Sequence, residues 1–176
     1  MQLKETRDAL NAFGKYVVQQ SRSNLTKGGK NSTNELYQSL DYTFDIERDA
    51  FVISILMEDY GKFQDQGVRG VGGVRKTTSK YNSRNNKGKM WKQKGGNSPF
   101  SFKEGRKPSV KHFEDWSKRK GLSAFAVRDS VYKQGIKPSM FFTKPFEAAF
   151  KRLPEDIIEK FALDIEQGII LAINKK

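Results

Sequence analysis

The stretch GVRGVGGVRKTTSKYNSRNNKGKMWKQKGGN, from Gly67 to Asn97, restricts more than any other what this chain can build. Between Arg75 and Asn97 it holds eight basic residues and no acid, and its only large apolar side chains are Tyr81, Met90 and Trp91. Ordering a backbone costs roughly 1–2 kcal/mol per residue, which so little apolar surface cannot offset. The stretch therefore reads as a mobile arm, or as one ordered by a partner. The fold must come from the segments on either side.

The N-terminal segment begins as an amphipathic helix, with Leu3, Leu10, Phe13 and Val17 at helical spacing, and is expected to run to about Gln20. KGGK at Lys27 to Lys30 breaks it. Ser32 and Glu35 have the spacing of a capping box and predict a short second helix carrying Leu36 and Leu40. The period then changes to two: Leu40, Tyr42, Phe44 and Ile46 alternate with acids and Thr43, as a half-buried strand requires. Phe51 to Met57 is apolar on both faces and predicts the inner strand of an antiparallel hairpin, with Tyr60 and Phe63 covering its end.

Beyond the arm, Pro108 and Ser109 mark a helix start, with Val110, Phe113 and Trp116 on one face and Lys118, Arg119 and Lys120 near the C-terminal end. A further helix runs from Ser123 to about Gln134 and stops at Gly135. Phe146, Ala149, Phe150 and Leu153 fit another. Pro154 opens the last, with Ile157, Ile158, Phe161, Ile165, Ile169 and Leu171 or Ala172 assigned to its buried face. The expected class is α+β: a small antiparallel sheet packed with flanking helices, in a single domain over 1–176, with the basic arm, 67–98, inserted after the first hairpin.

The charge is concentrated. Of the formal net charge of +13, the span from Gln66 to Lys111 carries +12, thirteen Lys or Arg against Glu104 alone. Such asymmetry implies an anionic partner, whereas charge serving only solubility would mix signs. Arg69, Arg75, Lys76, Lys80, Arg84, Lys87, Lys89, Lys92 and Lys94 are the candidate contacts to DNA or another anionic surface, with Tyr81 and Trp91 as candidates for stacking on bases. There is no cysteine, the N-terminus carries charge where a signal peptide needs an apolar core, and no stretch reaches the length of a membrane span. A soluble protein made in the cytoplasm, with no membrane partner, is expected.

Catalytic constellations are weak. His112 is the only histidine, so a histidine metal site lacks a second imidazole and a cysteine triad lacks its nucleophile. Asp59 and Asp65, or Glu114 and Asp115, would allow a carboxylate Mg²⁺ nuclease, but the preferred reading is solvated helix-face acids. GVRGVGG lacks the lysine and hydroxyl of a phosphate loop. No enzyme, metal or cofactor is expected. Phe141, Phe142 and Phe146, beside Pro138 and Pro145, read by default as core; thirteen phenylalanines are many for so small a sheet, so the three are also candidates for an assembly interface.

NELYQSLDY, the hairpin, DYGKFQDQGVRG, KPSVKHFEDWSKRKGL and GIKPSMFFTKPFEAAF occur in an order that resembles the neck, or tail-completion (head-tail connector), proteins of tailed bacteriophages, the minor tail-connector family of phage HK97. The segments that carry the resemblance are Glu35 to Tyr42, Tyr60 to Gly67 and Gly135 to Phe141. Asn34 stands where that pattern often has glycine, and the link after Gly67 is longer here, so the basic arm is an insertion. The resemblance implies a structural virion protein, assembled in the host cytoplasm into a ring of roughly six or twelve copies around the DNA channel. Its neighbours would be the portal or its adaptors and the tail-tube proteins. A free nucleic-acid-binding protein using the arm is the alternative.

Overall fold

The computed structural model describes residues 3–29, 34–47, 50–73 and 90–173. The chain is α+β and divides into two compact units: residues 1–59 with 141–176, and Tyr60–Met140. Among the described residues there are seven helices and two small antiparallel two-stranded sheets.

The first unit is organised by α1, Lys4–Lys27, which buries Leu10, Phe13, Val17, Val18, Ser21 and Leu25 at spacings of one, three and four. The helix runs two turns past Gln20 because those turns are held from outside. Arg22 donates to the carbonyls of Tyr37 and Leu40, and Asn24 donates to that of Phe141. The expected break at the paired glycines holds, with Gly28 as the C-cap. Helix α2, Glu35–Ser39, starts after Asn34 in a left-handed conformation with no side-chain cap; Ser32, assigned to the capping box, lies outside the described residues.

Strands β1, Asp41–Ile46, and β2, Phe51–Leu56, form the expected hairpin, in the register Asp41 opposite Leu56, Thr43 opposite Ser54 and Asp45 opposite Val52. Tyr42, Phe44, Ile46, Ile53 and Ile55 share the half-buried face. Tyr42 packs so closely on α1 that a Cβ at Gly14 would overlap its ring. β2 departs from the expectation of an inner strand buried on both sides. Phe51, Val52 and Leu56 are exposed, and no third strand pairs with the hairpin among the described residues.

Helices α6, Thr143–Phe150, and α7, Leu153–Ile173, complete this unit. The assigned buried face of α7 needs correction: Ile158, Phe161 and Ile165 are exposed, Ile158 by 71%, while Asp164 is buried. At about 100° per residue, those three lie roughly 60–120° around the helix from Asp164. Asp164 is drawn inward because its carboxylate caps α1. It accepts from the N–H groups of Glu5 at 3.1 Å and Thr6 at 2.9 Å, and from the Thr6 hydroxyl at 2.7 Å. Helix N-termini leave donors unpaired within the helix, and here a residue distant in sequence fills that role.

The second unit begins with a helix that was not expected, α3, Gly61–Gln66. Its end is held from Ser139 and Met140, whose N–H groups both donate to the carbonyl of Asp65, at 3.0 and 2.9 Å. Phe63, expected over the hairpin, packs edge-on against Phe100 with ring centroids 4.8 Å apart. Helix α4, Lys111–Arg119, begins later than the Pro108–Ser109 signal. Helix α5, Ala124–Gln134, ends at Gly135 with φ +82°, the expected stop.

Candidate functional site

The basic arm grows from a closely built base. Strand β3, Val68–Arg69, lies antiparallel to β4, Gly135–Ile136, and Arg69 bridges Ser101 in parallel on its other side. The Arg69 N–H donates to the carbonyl of Phe100 at 2.8 Å, and the Phe102 N–H donates to that of Arg69 at 3.0 Å. Residues 70–73 run on along the end of α5, with Val71 and Gly72 donating to the carbonyls of Tyr132 and Lys133.

The returning chain is tied to the same place. Gln93 accepts from the Gly70 N–H through Oε1 and donates through Nε2 to the Lys133 carbonyl. The Lys94 N–H donates to the Gln134 carbonyl at 2.8 Å, and Trp91 donates to Gly73 at 3.0 Å. The Ser98 hydroxyl, buried, donates to the Gly67 carbonyl at 2.7 Å. The expected arm, 67–98, is therefore shorter at both ends, since 67–73 and 90–98 belong to the folded unit.

This base also changes the reading of the glycines. A Cβ on Gly95 would overlap the Val68 carbonyl, whereas one on Gly96 would meet nothing within 4 Å. Much of the glycine content serves close backbone packing, a demand that composition does not separate from flexibility.

The candidate residues fall into three groups. Arg69 is exposed on β3, and Lys92 and Lys94 are exposed on the returning chain. Arg75, Lys76, Lys80, Tyr81, Arg84, Lys87 and Lys89 lie outside the described residues. Trp91 is half-buried at the base rather than displayed on an arm. One cation was missed. Lys133 leans over the Tyr132 ring, its Nζ 5.6 Å from the centroid, and stands 3.6 Å from where a Gly73 Cβ would be. It lies forty residues beyond Gln93, and only the pairing of β3 with β4 brings it to the arm.

The electrostatic division is between units rather than between arm and body. Tyr60 to Met140 contains twenty Lys or Arg and five Asp or Glu, a net of +15; the rest contains thirteen and fifteen, a net of −2. Of the five acids, Asp65 is buried, which corrects the expectation of a solvated helix-face acid. Asp129 is shared by Lys107 at 3.1 Å and Arg128 at 2.8 Å. Partial burial pushes the Asp129 carboxyl up, but the hydrogen bonds and charges of Arg128 and Lys107 outweigh it and hold the group below the usual carboxylate range. Among the described residues no group of three or more His, Asp or Glu stands close enough to hold a metal ion, and no helix is long and apolar enough to cross a membrane.

Of the three phenylalanines that read by default as core and also as candidates for an assembly interface, Phe141 is buried in the first unit and Phe142 and Phe146 are half-buried. Phe141 is 1% exposed and lies in the core with Val18, Leu25, Leu36 and Leu40. Phe146 packs between Phe142 at 5.4 Å, Phe13 at 5.9 Å and Phe150 at 5.6 Å. Exposed apolar surface lies beside them on Phe150, and further off on Val52, Leu56, Ile158, Phe161 and Ile165 in the first unit and on Trp116, Leu122 and Phe125 in the second. Nothing in spacing marked these, because each falls on an apolar position that a folded chain would ordinarily bury. Compared with family models, with curated proteins and with solved structures, the chain matches none.

Proposed function

We propose that this chain is a structural protein of the neck of a tailed phage, forming a ring around the DNA channel, with its basic unit and arm turned toward a neighbouring ring or the DNA. The observation that carries the reading is the segregation of charge: +15 on Tyr60 to Met140, around an arm whose two roots are bonded to one another and to Gln134. A ring repeats that charge in every copy, and multivalency strengthens individually weak contacts to a polyanion. The exposed apolar residues of both units are the kind of surface that assembly covers. The order of segments that resembles tail-completion proteins supplies the location: the virion neck, between portal or adaptor proteins and the tail tube, after assembly in the host cytoplasm.

The hydrogen bond from Trp91 to Gly73 makes the arm separable from its base. Replacing residues 74–89 by a short Gly-Ser link should leave the folded units intact and block head-to-tail joining. Normal numbers of tailed, infectious particles would overturn the proposed role of the arm. The free nucleic-acid-binding alternative draws on Lys92 and Lys94, exposed at the arm base, and on Lys133, whose Nζ stands 3.6 Å from where a Gly73 Cβ would be; among the described residues none of the three is in an ion pair. It predicts salt-dependent DNA binding by a monomer that forms no ring.

A further inference from the structure

The outer face of the hairpin carries an unusual pairing. Its register sets Asp41 beside Leu56 and Asp45 beside Val52, with Thr43 and Ser54 between them, and all six are exposed. From Asp41 to Met57 there are four acids and one base. The face is thus acidic along β1 and apolar along β2, and both edges of the hairpin are unpaired among the described residues.

The second unit presents the complementary surface at the corner between α4 and α5. Within Trp116 to Phe125 there are three bases and no acid. Lys118 and Lys120 are exposed, together with Trp116, Leu122 and Phe125, the last by 63%. The Leu122 N–H donates to the Ser117 carbonyl at 2.8 Å, which folds the corner back on the helix end and keeps these side chains on one short segment.

We infer that the corner of one copy docks on the outer hairpin face of the next. Lys118 and Lys120 meet Asp41 and Asp45, and Leu122 and Phe125 cover Val52 and Leu56. Complementary charge gives the register and the rate of encounter, and the desolvated apolar groups give the affinity. Because the two patches differ, the contact is heterologous. Repeating it adds copies head to tail and closes a ring when the rotation closes, which a two-fold contact cannot do. The inference rests on the ring reading proposed above and names the interface that would build it.

The test is sedimentation velocity on the full chain and two charge-reversal variants, Asp41→Lys with Asp45→Lys, and Lys118→Glu with Lys120→Glu. Each variant alone places like charges opposite one another and should assemble roughly tenfold or more weakly than the natural chain. An equimolar mixture of the two restores opposite charges at every contact and should assemble, as should the chain carrying all four changes. Recovery in the mixture also shows that both variants are folded. If the natural chain forms rings and neither variant weakens them, the interface is wrong and the ring reading stands. A natural chain that stays monomeric at every concentration sinks both. Loss of DNA binding without loss of assembly in the Lys118 and Lys120 variant would make the corner a nucleic-acid surface and overturn the inference.

Discussion

Replacing Asp164 by alanine tests the first unit at its most specific contact. The carboxylate accepts three hydrogen bonds, from Glu5 N–H, Thr6 N–H and the Thr6 hydroxyl, and both Thr6 and Asp164 are buried. Losing an N-cap costs about 0.5–2 kcal/mol, and a buried donor left without an acceptor adds about 1–3 kcal/mol. Together these give an expected loss of about 2–4 kcal/mol, felt first where α1 meets α7. The assay is native-state hydrogen exchange at the Thr6 amide, where that loss corresponds to roughly 30- to 1,000-fold faster exchange. Thr6→Val, which keeps the shape and removes only the hydroxyl bond, should cost about 1 kcal/mol. A change below about 0.5 kcal/mol for Asp164→Ala would refute the capping role, since that is the scatter of ordinary surface substitutions.

The same carboxylate sets an acid limit. Burial pushes the Asp164 carboxyl up, but the hydrogen bonds from Thr6 and Glu5 outweigh burial and hold it below the usual range. A group whose folded value is depressed contributes fully above its unfolded value of about 3.9, and that contribution is lost as pH falls through the folded value. Acid titration of the natural chain should loosen α1 in that window, and Asp164→Asn should remove the dependence. Gly95→Ala should cost about 1–3 kcal/mol by forcing a Cβ against the Val68 carbonyl, while Gly96→Ala, in open space, should cost under about 0.5 kcal/mol; equal thermal shifts would refute the close packing of the arm base. Where duplex DNA binding is measured against salt, changing Lys92, Lys94 and Lys133 to Gln should reduce the log–log slope by about 2–3, and an unchanged slope would remove the arm base from any phosphate contact.

Local signals in the sequence located most elements. Alternation found the hairpin to within a residue, and Gly135 marked the end of α5, because both rest on short-range geometry. What it missed depends on partners distant along the chain. Helix α1 outruns the end expected at Gln20 because Arg22 and Asn24 anchor it to carbonyls at 37, 40 and 141. The apolar stripe of α7 reads as buried because hydrophobicity ordinarily sets the inward face, yet here one carboxylate with three donors sets it. At the candidate site the basic residues were legible as composition. Lys133 and the clamp by Gln93 were not, since a two-residue strand pairing carries no periodicity to detect.

The central claim is that this chain is a subunit of a ring whose basic units repeat around a DNA channel. Electron microscopy of the assembled full-length protein, alone and with linear duplex DNA, tests it most directly. The account predicts closed rings of roughly six or twelve copies, with a lumen wide enough for the duplex and the residues of Tyr60 to Met140 facing that lumen or the rim of the next ring. Isolated monomers bound along the outside of DNA, with no closed ring at any protein concentration, would contradict it.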